Sequence, residues 1–338
     1  MGAAVAVLVA GVVSPSASAD PDPTISEVDA RVSQLHLEAE QAIERYNTIN
    51  EQVEAAEADL SVARADVRAL RRDTERLRRQ VERLVLAQAD ATGVANTTAQ
   101  LLSSEDPDDF LIGLVAMQSA SDQSAALLTS YEGARARLEA RHQQARDQLA
   151  EIAAAKQRAA GEKALTLEKA AAAEELLAEL AEARAERIAA AAEPSRTDSR
   201  PQQSPTESSS SQTPAEPSPA PVSGGAGTAV ATALDQVGDA YVYGAAGPDA
   251  FDCSGLTMFA WAAAGVSLPH SASMQAGMGV PVAYSDLQPG DLVFYYSPIS
   301  HAGMYIGNGQ LVHAANESAP VEVVDVDLMP ITTIRRVG

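Results

Sequence analysis

Cys253 is the chain's one cysteine, so no disulfide can form within the chain and the residue must be read as a thiol. It stands in Phe251-Asp252-Cys253-Ser254-Gly255, just ahead of Leu256-Thr257-Met258-Phe259-Ala260-Trp261-Ala262. Those seven residues are apolar at helical intervals and stop at Gly265, a fitting C-cap. Cys253 is therefore predicted in the first turn of a helix, where unpaired N–H groups and the dipole favour an anion and the thiol loses its proton more readily. A thiolate nucleophile needs a base, and His270, His301 and His313 all fall in the same region. Asp291 to Tyr296 reads as a strand after the Pro289-Gly290 turn, and His301 to Ile306 and Gln310 to His313 read as two more. If Ile306 faces Gln310 across a three-residue loop, Gly303 faces His313 and His301 lies diagonally on the same face, within reach. A two-residue turn at Asn308-Gly309 would shift the register by one and send the two histidines to opposite faces. The longer loop is the one that chemistry needs.

On that pairing His301 takes the Cys253 proton and His313 holds the His301 ring in its tautomer and orientation. The thiolate attacks an amide carbonyl, the imidazolium protonates the leaving amine, and water releases the thioacyl intermediate. Backbone N–H groups at the start of the cysteine helix are natural donors to the oxyanion. His270, after Leu268-Pro269, reads as a loop or cleft-wall residue. There is no His-Glu-x-x-His pattern, so no metal and no other cofactor is expected.

The elements that carry this site are unevenly spread. Ten of the thirteen aromatic residues and twelve of the twenty-one glycines lie after residue 227, and residues 228–338 are expected to form the compact unit. Residues 3–13 are an apolar run too short for a stable bilayer anchor, followed by Ala17-Ser18-Ala19. Although no Lys or Arg precedes it, the pattern is that of an export signal over residues 1–19, cut after Ala19. From Val28 to Leu84 apolar or small residues alternate at intervals of four and three, the coiled-coil signature. A second, Ala-rich helical stretch runs from about Ser119 to Ala192, with Leu138, Ala145, Ile152, Ala159, Ala173 and Leu180 on one seam. The simplest packing over residues 20–192 is an antiparallel hairpin whose folded tip, residues 92–118, gathers Phe110, Leu111, Ile112, Leu114 and Met117. The hairpin reads either as a spacer or as a docking arm whose tip binds a partner. Residues 193–227 are rich in Pro, Ser and Gly and read as a disordered linker.

The net charge of −22 argues against a nucleic-acid partner. Residues 228–338 carry ten acidic side chains and only two basic ones, Arg335 and Arg336, so binding of an anionic polymer cannot rest on bulk charge.

Tyr241-Val242-Tyr243-Gly244, the Cys253 segment, Leu268-Pro269-His270-Ser271, Leu287 to Phe294 and His301 to Gly307 together resemble the NlpC/P60 family of cell-wall cysteine peptidases, in order and spacing. The resemblance implies a papain-like α+β fold, with the cysteine opening a helix packed on an antiparallel sheet. It places a catalytic triad on Cys253, His301 and His313, and substrate contacts on Tyr241, Asp252 and Ser254. It implies a peptidoglycan substrate, cut between D-γ-glutamyl and diaminopimelate or lysine; the export signal adds the expectation of a protein that is secreted, at the wall or the outer face of the cytoplasmic membrane. The whole layout is similar to actinobacterial division-associated endopeptidases, and Ser103 to Leu111 resembles coiled-coil hydrolases controlled by the FtsE–FtsX membrane complex. That implies an arm that docks on such a regulator or folds over the cleft to hold the enzyme off. The rival readings are a non-catalytic scaffold that recruits another hydrolase, and a thiol amidase or acyltransferase.

Overall fold

The computed structural model describes residues 25–89, 99, 107–192 and 224–338. The expected signal, most of the linker and residues 92–98 and 100–106 of the expected tip lie outside the described residues.

Two helices form the arm, α1 (Ile25–Ala89, 65 residues) and α2 (Pro107–Ala192, 86 residues). No Gly or Pro interrupts α1, and at about 1.5 Å per residue it is roughly 100 Å long. The two run antiparallel, as the cross-links Lys169–Glu38, Arg45–Glu162 and Arg141–Asp66 show, the numbers rising on one helix as they fall on the other. These ion pairs are largely exposed and add little stability. Cohesion comes from the seam: Val53, Leu60 and Ala63 bury against Ala145 and Ile152, and Val28, Val32 and Leu35 against Ala173. Residues 107–118 of the expected tip are the first three turns of α2. Pro107 opens the helix because its missing N–H is one the first turn would not use, and nothing between Asp108 and Ser119 breaks it. Phe110, Leu111, Ile112, Leu114 and Met117 are exposed along these turns.

The C-terminal unit begins at α3 (Gly225–Leu234), three residues before the expected linker boundary. The reason is packing: Gly225 lies against Trp261 and Ala264, so the helix needs that turn to reach them. Then come β1 (Ala240–Tyr241), β2 (Ala250–Phe251), α4 (Cys253–Ala263), the short α5 (Ala272–Gln275), β3 (Val280–Pro281), β4 (Leu292–Tyr295), β5 (His301–Gly307), β6 (Gln310–Asn316), β7 (Ala319–Asp325) and β8 (Ile331–Arg336). β1 and β2 pair in parallel, and the rest form one antiparallel sheet in the order β3-β8-β4-β5-β6-β7.

Period-two alternation gives this sheet two buried faces. On β4, Leu292 and Phe294 face α4 with Leu256, Trp261, Met304 and Ile306, while Val293 and Tyr295 face away with Leu311, Val326 and Ile334. The architecture is thus a long helical hairpin beside an α+β domain with its cysteine helix packed on an antiparallel sheet, the papain-like arrangement.

The β5–β6 connection differs from the three-residue loop expected. Met304 pairs with Val312 and Tyr305 with Leu311, but Gly307 pairs with Gln310, so a two-residue turn at Asn308-Gly309 is combined with a one-residue irregularity at Ile306. Gly307, Asn308 and Gly309 all have positive φ, which this turn demands. The irregularity compensates the shorter turn, and the body of the ladder keeps the register that puts His301 and His313 on one face.

Candidate active site

Asp252 is the N-cap of α4: its Oδ1 accepts from the Gly255 N–H at 2.7 Å and the Ser254 hydroxyl at 3.2 Å. Its Oδ2 accepts from the Gly244 N–H at 3.1 Å, tying β1's exit to the helix start. Only glycine fits at 255, because a Cβ there would run into the Ala245 carbonyl. Cys253 is therefore fixed at the first helical position, with Sγ 3.9 Å from the carbonyl oxygen of Ser300, the residue before His301.

The histidines meet across β5 and β6. His301 Nε2 lies 2.8 Å from His313 Nδ1, with the rings edge to face at 84°. Gly303 makes room for this: a Cβ would collide with Leu311 and sit 3.2 Å from the His313 Cβ. Burial pushes His301 well below the ordinary histidine value, His313 adding to the effect, and burial alone lowers His313 to about 4. Both rings are thus neutral at pH 7, so one proton bridges them. With His301 Nε2–H as donor, His301 Nδ1 keeps a bare lone pair, and His313 Nε2–H points towards Glu322 at 3.9 Å. His301 Nδ1 has no hydrogen-bond partner among the described residues. A base for the thiol needs that tautomer.

A second set of residues surrounds Asp252. His270 Nε2 lies 2.9 Å from its Oδ1. Burial opposes the imidazolium, but the bond and charge of Asp252, with Glu51 and Glu44 behind, outweigh it and raise His270. Gln275, fully buried, clips this loop to α4 by bonds to the Ser254 and Pro269 carbonyls and from the Thr257 hydroxyl. Tyr241 is buried edge-on to Tyr243 at 5.0 Å, and its hydroxyl has no partner among the described residues. Ser254 is fully buried with its hydroxyl on Asp252, so it faces protein.

The cleft formed by these groups is covered by α1. Ile43 and Tyr46 pack over Gly244, and Asn47 Nδ2 donates to Asp252 Oδ2 at 2.9 Å. The Glu44 carboxylate accepts from the Ser271 hydroxyl at 2.6 Å, the Ala272 N–H at 2.8 Å and the Ser273 N–H at 2.9 Å. Glu51 accepts from the His270 N–H, and Glu40 reaches to 3.8 Å from His301 Nδ1. Cys253 is left 3% exposed. The sequence led to an acidified thiol; in this arrangement burial, then Asp252, Glu40 and Glu44, push it well above the ordinary cysteine value. Two of those three carboxylates belong to α1. Desolvation and like charge here exceed what a helix terminus supplies.

Sequence reasoning missed Glu40, Glu44, Asn47, Glu51 and Gln275. The α1 set recurs at i, i+4, i+7 and i+11, one helical face, but a solvated coiled-coil flank has the same look. Among the described residues, no group of three or more His, Cys, Asp or Glu is placed to hold a metal, and no helix is long and apolar enough to cross a membrane.

Residues 238–333 match the NlpC/P60 family. The chain is 53% identical over 115 residues to a probable endopeptidase of Mycobacterium tuberculosis, a match covering 33% of this chain and 30% of the relative. A probable endopeptidase of Corynebacterium glutamicum is 46% identical over 116 residues, 34% of this chain and 55% of the relative. The chain thus spans between about a third and about half of the length of these curated relatives. Among solved structures, the P60 domain of a Mycobacterium avium subspecies paratuberculosis antigen is similar at 29% identity and a TM-score of 0.32, over 33% of this chain and 94% of that one. The peptidoglycan hydrolase RipB of M. tuberculosis is similar at 30% identity and a TM-score of 0.31, over 33% of this chain and 64% of that one. With a cysteine at the head of α4 and a histidine pair on β5 and β6, residues 238–333 belong to the NlpC/P60 family.

Proposed function

We propose that this chain is an exported peptidoglycan endopeptidase that works through Cys253, His301 and His313 and is held latent by its own arm. The observation that supports it most is the buried histidine pair, 2.8 Å apart, whose His301 Nδ1 has no hydrogen-bond partner among the described residues, with the Cys253 Sγ 3.9 Å from the carbonyl oxygen of the residue before His301. With α1 lifted, the Sγ proton passes to His301 Nδ1 and Sγ bonds to the amide carbon. The N–H groups heading α4 stabilise the oxyanion. The C–N bond breaks as His301 returns the proton to the amine, leaving a thioester on Cys253. Water, deprotonated by His301, hydrolyses the thioester and restores the thiol. The bond cut is that between D-γ-glutamyl and diaminopimelate of a stem peptide; its carboxylates suit a cleft whose N–H and hydroxyl groups already hold Glu44. Tyr241 and Asp252 line the approach, and Ser254 holds Asp252.

Latency follows from α1. With the helix seated, the thiol is buried, protonated and unreachable by a polymer. On this reading the arm is released by a membrane regulator that acts on it or on the exposed apolar turns at Phe110 to Met117. Mass spectrometry of wall fragments released by the chain with its arm unseated tests the reaction. New amines on diaminopimelate identify the endopeptidase. Whole stems released from muramic acid identify a thiol amidase instead, and release that survives Cys253→Ala overturns the thiol mechanism.

A further inference from the structure

We propose that seating α1 on the cleft takes up one proton, held between Glu40 and His301, so that the arm lets go as its surroundings turn alkaline. The inference rests on reading α1 as a cover, and it concerns what sets the cover's strength.

Glu40 is the one α1 carboxylate in the cleft that the domain does not satisfy. Glu44 has hydroxyl and N–H donors from the Ser271 to Ser273 turn, and Glu51 has the His270 N–H. The Glu40 side chain is 11% exposed, with His301 Nδ1 at 3.8 Å as its nearest polar neighbour of opposite potential charge. The other groups that feel its charge are Cys253 on α4, Tyr241 on β1, Tyr243 after it and Tyr296 after β4, all uncharged at neutral pH. No cation faces it. The domain's Arg336 is engaged by Asp291, and of the arm's cations in this stretch Lys169 pairs with Glu38, Arg45 with Glu162, and Lys163 lies over the Tyr46 ring.

A buried carboxylate beside a neutral imidazole is costly, and one proton removes the cost wherever it sits. On the carboxyl it gives two neutral groups; on the imidazole it gives an ion pair. The proton count is the same. Burial pushes Glu40 up to about 8 while it lowers His301, so the closed pair holds one proton through neutral pH. Lifting α1 returns Glu40 to water, where a glutamate ionises near about 4.3, and leaves His301 neutral above the ordinary histidine value of about 6.5. Between about pH 6.5 and pH 8 the closed form then holds one proton more than the open form. Opening becomes about tenfold more favourable per pH unit in that window.

Amide exchange in the full chain tests this without any substrate. The Ala272 and Ser273 N–H groups are bound by Glu44, so they exchange through lifting of α1. Intrinsic exchange itself speeds up about tenfold per pH unit, and proton-linked opening adds a further factor of about ten. The expected result between about pH 6.5 and pH 8 is a rise of about 100-fold per unit in the native chain and about tenfold in Glu40→Gln. Amides of β5 and β6, followed in the same spectra, report that the variant is folded. A tenfold dependence in the native chain, or a 100-fold dependence kept in Glu40→Gln, overturns the proposal. Unprotected Ala272 and Ser273 amides at every pH would remove the cover itself, whereas absence of hydrolysis would sink the endopeptidase reading and leave this result standing.

Discussion

Replacing Glu44 by alanine should unseat the arm. Its carboxylate accepts from the Ser271 hydroxyl and from the Ala272 and Ser273 N–H groups at 2.6, 2.8 and 2.9 Å, and Glu44 is 5% exposed. Hydrogen bonds to a charged group contribute about 1.5 to 3 kcal/mol each, and the freed donors regain water once α1 lifts. Taking the low end for three bonds gives about 4.5 kcal/mol, or a roughly two-thousandfold increase in the opening constant as an upper bound. The assay is the rate at which a small neutral thiol reagent alkylates Cys253 in the full chain at pH 7. Native Cys253, 3% exposed, should react very slowly, and Glu44→Ala should raise the rate by two to three decades, about 100- to 1000-fold. Exposed Glu54, three turns further along α1, serves as the control and should change nothing on substitution to alanine. A rise of less than about tenfold in Glu44→Ala would refute the reasoning, because seating worth so little could not rest on those bonds.

Three further outcomes follow from the same geometry. Gly303→Ala should lower the melting temperature and part the histidines, at about 1 to 3 kcal/mol, because the new methyl meets Leu311 and crowds His313; thermal denaturation with both rings followed by NMR would show it. His313 is held neutral to about 4, so the unfolded chain binds the extra proton between that value and about 6.5, and stability falls as pH drops through that window. The loss should approach about 3 kcal/mol at pH 4 and shrink in His313→Asn, measured by urea denaturation across pH. Asn47→Ala frees Asp252 of one hydrogen bond at 2.9 Å and should loosen the arm by about tenfold in the alkylation assay, far less than Glu44→Ala.

Much of the C-terminal domain was legible because its signals are local. The apolar helical run that starts after Cys253 and stops at Gly265 marks a helix, and Gly307-Asn308-Gly309 between two β-rich runs marks a hairpin. What local signals did not reveal was how the register survives a short turn, since the irregularity at Ile306 is fixed by packing on both faces of the sheet. The seam of α1 was equally plain from Val28 to Ala63, yet the same helix also buries Ile43, Glu40, Glu44 and Asn47 off that seam. Those side chains respond to a domain more than 190 residues away in sequence. No periodicity records that contact. For the same reason the thiol's surroundings could not be read from α4 alone: the carboxylates of Glu40 and Glu44 reach it only through the tertiary contact.

The central claim is that a Cys253 thiol cuts wall peptides once α1 is lifted. The most direct measurement is the release of soluble fragments from purified peptidoglycan by three full-length chains: native, Glu44→Ala, and Glu44→Ala combined with Cys253→Ala. The account expects slow release by the native chain, release at least about 100-fold faster by Glu44→Ala, and none by the double variant. Release by the double variant, or no gain over the native chain in Glu44→Ala, would contradict it.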